Sequence, residues 1–164
     1  ARLLEPVRQI LIERLQRDQL LMAHFARPVL QFATPLNLLG SLKKPQHGIN
    51  IKKAAIFPLV HGVRAMAMQQ GITETSTLGR LEELVARGEM EASFAEDLTE
   101  SLALFSELRL RAQLAKLRGE NPGLKDNHII VQQLSTLERD LLRDALHLIN
   151  EFKQRLSRRF HLEY

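Results

Sequence analysis

The chain has 164 residues and 45% hydrophobic content, which fits one domain of ordinary size and excludes a disordered chain. It contains no cysteine, which excludes disulfide bonds and thiolate metal sites, and its apolar runs are too short to span a bilayer. We therefore expect a globular protein without a membrane segment, and the missing cysteines fit a cytoplasmic location.

The spacing of apolar residues predicts an all-α fold, a single helical bundle of about six helices. The first helix should begin near Pro6, and Asp18 can cap a second helix. The apolar pattern of that second helix continues to Phe32, and Pro28 should kink it. A Pro- and Gly-rich stretch then predicts a long loop over residues 34–51.

Four further helices are predicted after this loop, and the last two have the clearest helical patterns. A third helix is predicted over residues 52–70, and a fourth ends at Gly88. Residues 91–117 have the widest apolar face, which predicts a helix at the centre of the bundle. The capping box Ser135-Thr136-Leu137-Glu138 opens the last helix, and residues 129–131 are too few to predict a strand. The apolar stripe predicted for the last helix is Leu141, Ala145, Leu148, Phe152, Leu156 and Phe160.

The positive charges are concentrated in one part of the chain. Between Asp18 and Glu74 there is no acidic residue, and this acid-free segment contains six of the lysines and arginines. Because the whole chain carries a formal charge of +4, the remainder is slightly negative. The segment predicts either an anionic partner or a solvated basic surface with its counter-charges on other helices. The cations are Arg27, Lys43, Lys44, Lys52, Lys53 and Arg64.

No catalytic motif is recognisable. A nucleotidyltransferase needs Gly-Ser followed by paired aspartates that hold metal ions, but Gly40-Ser41 is followed by Asn50-Ile51-Lys52. None of the six histidines has a second ligand at metal-binding spacing, so we expect them to be structural or exposed. We do not expect a nucleic-acid partner, because a chain with no tryptophan and one tyrosine has little surface for stacking on bases.

Six segments, taken together and in order, resemble a known family. The set resembles the C-terminal substrate-binding domain of nucleotidyltransferases that occur beside CBS-domain pairs and cyclic-nucleotide-binding domains. It is also similar to the helical domain of the PII uridylyltransferases and the glutamine synthetase adenylyltransferases. The resemblance covers roughly residues 18–160. The segments are residues 50–53, 58–68, 71–81, 108–113, 126–127 and 134–139.

The resemblance implies a domain organisation and a separate role for each domain. Residues 1–17 would be a helix leading from an upstream catalytic domain, and residues 18–164 would be the helical substrate-binding domain. The parent enzyme would use Mg²⁺ and a nucleoside triphosphate, while this domain, inactive alone and without a cofactor, would position the nucleotide or the acceptor. Two departures stand out: Ala54 and Ala55 replace a usual glycine, and His61 replaces a usual acid.

We expect the substrate or nucleotide to contact cations in these segments. Lys52 and Lys53 follow Asn50 at a predicted helix start, where backbone N–H groups also favour anions. His61 and Arg64 are three residues apart and share a helical face. Two further candidates, on an otherwise apolar helix, are Arg109 and Arg111.

The sequence also allows other partners for two of these residues and other functions for the domain. Arg109 and Arg111 could instead pair within the chain, with Glu82, Glu83 or Asp97. The domain could be a helical protein-interaction module that docks a regulatory partner. A third possibility is a helical ribonuclease, because Arg155 and His161 form an Arg-x5-His pattern. The sequence does not predict the oligomeric state.

Overall fold

The computed structural model describes residues 3–162 and confirms the all-α bundle. Its six α-helices in this range are α1 (Leu4–Arg17), α2 (Gln19–Ala26), α3 (Phe57–Gln69), α4 (Thr77–Ala86), α5 (Ala92–Leu117) and α6 (Thr136–Phe160). No helix within this part of the chain is long and apolar enough to cross a bilayer.

Short polar side chains begin the helices where the sequence predicts them. The Asp18 carboxylate accepts a hydrogen bond from the Leu21 N–H at the start of α2. Ser135 and Glu138 form the predicted capping box at the start of α6, each side chain bonding the other residue's backbone. These caps satisfy N–H groups that have no partner inside the helix, which explains why the boundaries can be read locally.

Two of the predicted helices depart from regular α-helix at one end. The second helix stops at Ala26 and passes into a 3₁₀ turn over Arg27–Leu30, so the predicted continuation to Phe32 is wrong. Pro28 is the reason, because it has no N–H and its ring crowds the preceding turn. The predicted third helix starts as a π-helical turn over Lys52–Ile56, where the Phe57 N–H bonds the Lys52 carbonyl.

A two-stranded ladder joins distant parts of the chain. β1 (Ile49–Asn50) pairs antiparallel with β2 (His128–Ile129), with Ile49 opposite Ile129 and Asn50 opposite His128. The expectation of no strand is therefore wrong for these residues. Two residues are too few to show alternation, and the pairing exists because Ile49 and Ile129 are both buried. The ladder holds the end of the long loop against the connection between α5 and α6.

The helix at the centre of the bundle is α3, which corrects the prediction that α5 lies there. α3 buries seven of its 13 residues, whereas α5 buries six of its 26. α3 packs on α1, α2, α4 and α6. Gly62 lets α3 and α6 approach closely, because a Cβ at this position would come within 2.5 Å of the Leu156 side chain.

The apolar faces of α5 and α6 are only partly buried as predicted. The last third of α5 has no helix over its outer face, and Leu110, Leu114 and Leu117 are exposed there. In the first part and middle of α6 the buried stripe passes through Leu142 and Ile149, and the predicted Leu141 is exposed. Apolar spacing gives a helix face to within about one residue, and the neighbouring helices decide which flank is covered.

The first helix packs against the bundle by one side only. Ile12 and Leu15 are its buried residues, and it contacts α2 and α3. Its other side includes the exposed Leu4, Val7 and Leu11. The interpretation of residues 1–17 as a connecting helix remains a prediction, and Ala1 and Arg2 lie outside the described residues.

Candidate functional site

Lys52 and Lys53 lie at the exposed start of the central helix. The Asn50 side chain accepts a hydrogen bond from the Lys53 N–H at 3.0 Å, which fixes the first turn. Both lysine side chains are exposed. Neither forms a salt bridge with another residue in the described range 3–162. We call this segment, Asn50–Lys53, the lysine turn.

An aromatic cluster lies beside the lysine turn. It consists of Phe25, Phe32, Phe57 and His61, all partly buried. The ring of His61 stacks on Phe57 with 5.4 Å between centroids and contacts Phe25 at 5.1 Å. Phe32 meets the edge of Phe57 at 5.8 Å. Composition shows seven phenylalanines but not this grouping, which forms because residues 25, 32 and 57 come together in the fold.

Two lysines hold the cluster at its Phe32 end. Lys53 Nζ lies 5.3 Å from the centroid of the Phe32 ring, a cation–π distance, and so connects the lysine turn to the aromatic cluster. The ammonium of Lys153, on α6, donates to the Phe32 carbonyl at 2.7 Å and to Thr34 Oγ1 at 3.1 Å. Burial lowers the pKa of Lys153. Sequence reasoning missed Lys153 because a lysine in an amphipathic helix is usually solvated.

His61 has a structural contact that an acid could not make. Its Nε2 lies 2.7 Å from the Phe25 carbonyl oxygen, so the ring must donate a hydrogen bond from that nitrogen. An ionised carboxylate has no proton to donate to a carbonyl. His61 therefore fixes α3 against α2 within the aromatic cluster. A contact between His61 and a ligand remains a prediction.

Arg64 belongs to a different part of the surface from the lysine turn. It is exposed on α3, 12 residues after Lys52, which at the α-helical rise is roughly 18 Å along the axis. Its charge, with that of Arg8, lowers the pKa of Arg80, after the larger effect of burial. Arg80 Nε donates to the Glu74 carbonyl at 2.8 Å. We therefore expect Arg64 to form a contact point separate from the lysine turn.

Arg109 connects two of the family-like segments to the lysine turn. Its Nε donates to Asn127 Oδ1 at 2.6 Å, and the Asn127 carbonyl accepts from the Ile51 N–H at 2.9 Å. Asn127 has a φ of 62°, a left-handed conformation that asparagine tolerates well. The structure thus brings Arg109 close to Lys52 and Lys53 through Asn127.

Arg111 lies on another face of the same helix and pairs with carboxylates. It forms a salt bridge with Glu107 at 2.7 Å and another with Glu138 of the capping box. The pKa of Glu138 falls to about 2, first because of the Arg111 hydrogen bond and then because of the Ser135 backbone. Pairing within the chain is therefore found for both arginines, but the predicted partners Glu82, Glu83 and Asp97 are wrong.

Five cations of the acid-free segment are exposed at the surface of the described part of the chain. None of the five forms a salt bridge with another residue in the range 3–162. The five cations are Lys43, Lys44, Lys52, Lys53 and Arg64.

Arg155, by contrast, already has two anionic partners. It pairs with Glu91 at 2.7 Å and Glu151 at 2.8 Å, and its guanidinium lies 3.9 Å from the Phe94 ring centroid. His161 ends α6 in a left-handed conformation with φ of 53° and is exposed. A phosphate at Arg155 would have to compete with both carboxylates. No three His, Asp or Glu side chains in the described residues form a metal-binding group.

The described residues thus form an all-α bundle with exposed lysines that have no salt-bridge partner among them. The sequence pattern of one family, described as the putative nucleotidyltransferase substrate binding domain, matches residues 19–160. The match spans most of the chain and includes all six family-like segments, so the chain belongs to this family. Comparison with curated proteins found no match, and comparison with solved structures found none either.

Proposed function

We propose that this domain positions a nucleotide or an anionic acceptor for a nucleotidyltransferase domain of the same chain. The proposal rests on one observation: five cations of the acid-free segment, Lys52 and Lys53 among them, lack salt-bridge partners in the described residues. A concentration of unpaired positive charge attracts anions and raises their local concentration. Membership of a substrate-binding family supports the same conclusion.

The lysine turn and the aromatic cluster together suit a phosphorylated ligand with a flat ring. Lys52 and Lys53 would bind phosphate oxygens through charge-assisted hydrogen bonds. Phe32 and Phe57, which are only partly buried, offer apolar surface beside those lysines for a base or another apolar group. Arg64, together with Arg8 and Arg80, would form a separate contact point for a second anionic group or for the catalytic domain.

In this proposal the remaining candidate residues stabilise the site and do not contact the ligand. Arg109 holds Asn127, which in turn holds the backbone at Ile51 next to the lysines. His61 holds the aromatic cluster against α2. Arg111 pairs with Glu107 and Glu138 and stabilises the start of α6.

The chemistry in this proposal belongs to the catalytic domain. Mg²⁺ would be held there by paired carboxylates, where it would neutralise charge on the triphosphate. The helical domain would contribute by holding a reactant in the productive orientation, an effect that lowers the entropic part of the barrier. This role requires no side chain of the helical domain to gain or lose a proton.

A protein-interaction module is the second candidate function. The observation that favours it is the exposed apolar side of α1, with Leu4, Val7 and Leu11 outside the bundle. An apolar patch of this kind marks an interaction surface. A catalytic domain of the same chain would fit this side of α1 equally well. Such a contact would leave the lysine turn open to a ligand.

Titration of the 164-residue chain with nucleotides separates these functions. ATP, UTP and inorganic tripolyphosphate would be titrated by calorimetry, each with and without Mg²⁺ and at low and high salt. We expect saturable binding that weakens as salt rises, because exposed charges are screened. Tighter binding of a nucleotide than of tripolyphosphate would assign a role to the aromatic cluster. Absence of binding by all three anions would favour the interaction module. A separate incubation of the chain with RNA tests the third alternative, and cleavage of the RNA would favour the ribonuclease.

A further inference from the structure

A groove between α5 and α6 combines acidic and apolar side chains. It has a volume of about 420 Å³. Its lining includes the carboxylates of Asp97 and Glu100 on α5 and of Asp144 on α6, together with leucines from both helices. Carboxylates attract cations, and leucines favour methylene groups, so this lining suits an organic cation with an aliphatic body. We call this cavity the acidic groove. Its leucines are Leu104, Leu141 and Leu148.

The carboxylates of the acidic groove can accept hydrogen bonds from a ligand. Asp97 and Glu100 are exposed and form no salt bridge with a residue in the described range 3–162. Arg143 contacts Oδ1 of Asp144 at 3.1 Å, so the second carboxylate oxygen, Oδ2, can still accept from a ligand. Residues 88–108 contain no lysine, arginine or histidine, so this part of α5 is acidic as a whole.

Ser101 lines the acidic groove with a hydroxyl group that has no partner within the described chain. The residue is only 7% exposed. Its hydroxyl forms no hydrogen bond with another residue in the range 3–162, whereas the hydroxyl of nearby Thr99 donates to the Ala95 carbonyl at 2.9 Å. A buried hydroxyl normally has a hydrogen-bond partner, because burial removes most of its contact with water. The groove is where Ser101 can gain a partner, and a ligand with N–H donors would supply it.

α5 and α6 run antiparallel on either side of the acidic groove. The contacts that show this, in reverse order along the two helices, are Phe94–Phe152 and Arg111–Glu138. Equal steps from these contacts set residues 97–104 of α5 level with residues 141–148 of α6 in reverse order. Asp97 therefore lies at one end of the groove, Ser101 lies in the middle, and two of the leucines lie at the other end.

These levels give two positions for a cation. The middle position consists of the Ser101 hydroxyl and the carboxylates of Glu100 and Asp144, and all three groups can accept hydrogen bonds. The end position is at Asp97, four residues before Ser101 and so roughly 6 Å away along the helix axis. A short run of methylene groups spans this distance between two ammonium groups. The acidic groove thus matches a flexible chain in which ammonium groups alternate with methylene segments.

We propose that the acidic groove binds an aliphatic polyamine. One ammonium group donates to Glu100, Ser101 and Asp144, and the next donates to Asp97. The methylene segments lie against the leucines of the groove. Binding therefore combines charge-assisted hydrogen bonds at a fixed spacing with the burial of apolar surface. The lysine turn shares no residue with this groove, so the inference goes beyond the proposed function and does not depend on it.

Calorimetric titration of the 164-residue chain tests the class of ligand. Spermidine, butylamine and MgCl₂ would be titrated at one low ionic strength without nucleotide. We expect saturable binding of spermidine that is at least tenfold tighter than that of butylamine, which has a single ammonium group. Mg²⁺ should not displace spermidine at an equal concentration, because it makes no contact with the leucines. Equal binding of butylamine and spermidine, or displacement by an equal concentration of Mg²⁺, would overturn the proposal.

Neutral substitutions test whether spermidine binds at the acidic groove. Asp97→Asn/Glu100→Gln should raise the dissociation constant of spermidine at least tenfold, because both cation positions lose a carboxylate. Glu13→Gln/Glu120→Gln is the matched control, since it removes the same charge at two exposed positions outside the groove. The control should change the dissociation constant by less than about threefold, through long-range charge alone. Equal weakening by the two pairs would show that spermidine has only a general attraction to the chain.

Ser101→Ala tests the middle position separately from charge. It should raise the dissociation constant of spermidine about threefold or more, because the ammonium group loses one acceptor. The melting temperature should not fall, since the hydroxyl has no hydrogen bond to lose within the described residues and alanine favours a helix. A lower melting temperature with unchanged spermidine binding would mean that the hydroxyl is structural and that the proposed middle position is wrong.

Discussion

Arg109 and Asn127 are joined by a 2.6 Å hydrogen bond that fixes the position of the lysine turn from a distance. The Asn127 side chain accepts from the guanidinium, while its carbonyl accepts from the Ile51 N–H. Three segments of the chain therefore meet at one asparagine. Arg109 thus acts as a positioning residue in the proposed site, and this role can be tested apart from ligand contact.

Arg109→Ala should lower the stability of the fold. Removing the guanidinium leaves the partly buried Asn127 Oδ1 without its donor, which costs about 1–3 kcal/mol of unfolding free energy. Urea unfolding measures this loss, and Arg118→Ala, at an exposed position past the end of α5, is the control. Equal midpoints for the two variants would contradict the structural role of Arg109.

Leu108 and Leu110 differ sharply in burial although they are two residues apart. Leu108 is 2% exposed and Leu110 is 55% exposed. Leu108→Ala should cost about 2–5 kcal/mol of unfolding free energy, because it removes buried surface and leaves a cavity. Leu110→Ala should change stability by about 0.5 kcal/mol or less, since surface substitutions are usually small. Denaturation of both variants at low protein concentration checks this. A larger loss of unfolding free energy for Leu110→Ala than for Leu108→Ala would mean that α5 turns a different face toward the core.

The salt bridge of Glu138 predicts a specific acid sensitivity. The folded-state pKa of Glu138 is about 2, below the ordinary value of 4.5. Its contribution to stability is therefore complete above pH 4.5 and is lost as the pH falls toward 2. Glu138→Gln keeps the capping box, because a glutamine oxygen can also accept from the Ser135 N–H.

We expect the stability of Glu138→Gln to depend less steeply on pH in this range than that of the wild type. Unfolding free energies measured at several acidic pH values would show the difference. Glu120→Gln, at an exposed residue without a salt bridge in the described range, provides the comparison. Parallel pH profiles for the wild type and Glu138→Gln would show that the Arg111–Glu138 pair contributes nothing to folding.

The chain alone should not transfer nucleotides. It has no paired aspartates after Gly40-Ser41, so metal-bound triphosphate lacks an anchor. Incubation with labelled nucleoside triphosphates, Mg²⁺ and an extract depleted of the parent enzyme checks this expectation. Labelling above a buffer control would show that the chain has catalytic groups of its own.

Local signals predicted the fold better than the site. Asp18 and Ser135 bond to residues three positions away, so their caps can be read from the sequence. The Arg109–Asn127 bond spans 18 residues and the Lys153–Phe32 bond spans 121, and no local pattern shows such pairs. Apolar spacing predicted the faces of α5 but not the helices available to cover them.

The same difference between local and long-range signals decides which of the candidate site residues could be predicted. Lys52 and Lys53 were predicted at a helix start and lie there, because the signal was Asn50 just before them. The aromatic cluster was missed, since its phenylalanines come from three different segments. Lys153 was missed too, because its burial depends on the loop that packs over α6.

Charge reversal in the lysine turn tests most directly whether this turn binds the anionic ligand. Lys52→Glu/Lys53→Glu would be compared with Arg17→Glu/Arg158→Glu, which makes the same charge change at two exposed positions outside the acid-free segment. Both pairs should leave the melting temperature nearly unchanged, because exposed substitutions usually move stability by about 0.5 kcal/mol or less. Arg64→Glu would be measured separately, because of its distance from the turn.

The measurement is the dissociation constant of the bound nucleotide or tripolyphosphate for both double variants. Each charge-assisted hydrogen bond lost at a phosphate costs about 1.5–3 kcal/mol, so Lys52→Glu/Lys53→Glu should raise the dissociation constant at least tenfold. The control pair should change it by less than about threefold, through long-range charge alone. If both double variants weaken binding equally, the lysine turn is not the anion site and the proposed function is contradicted.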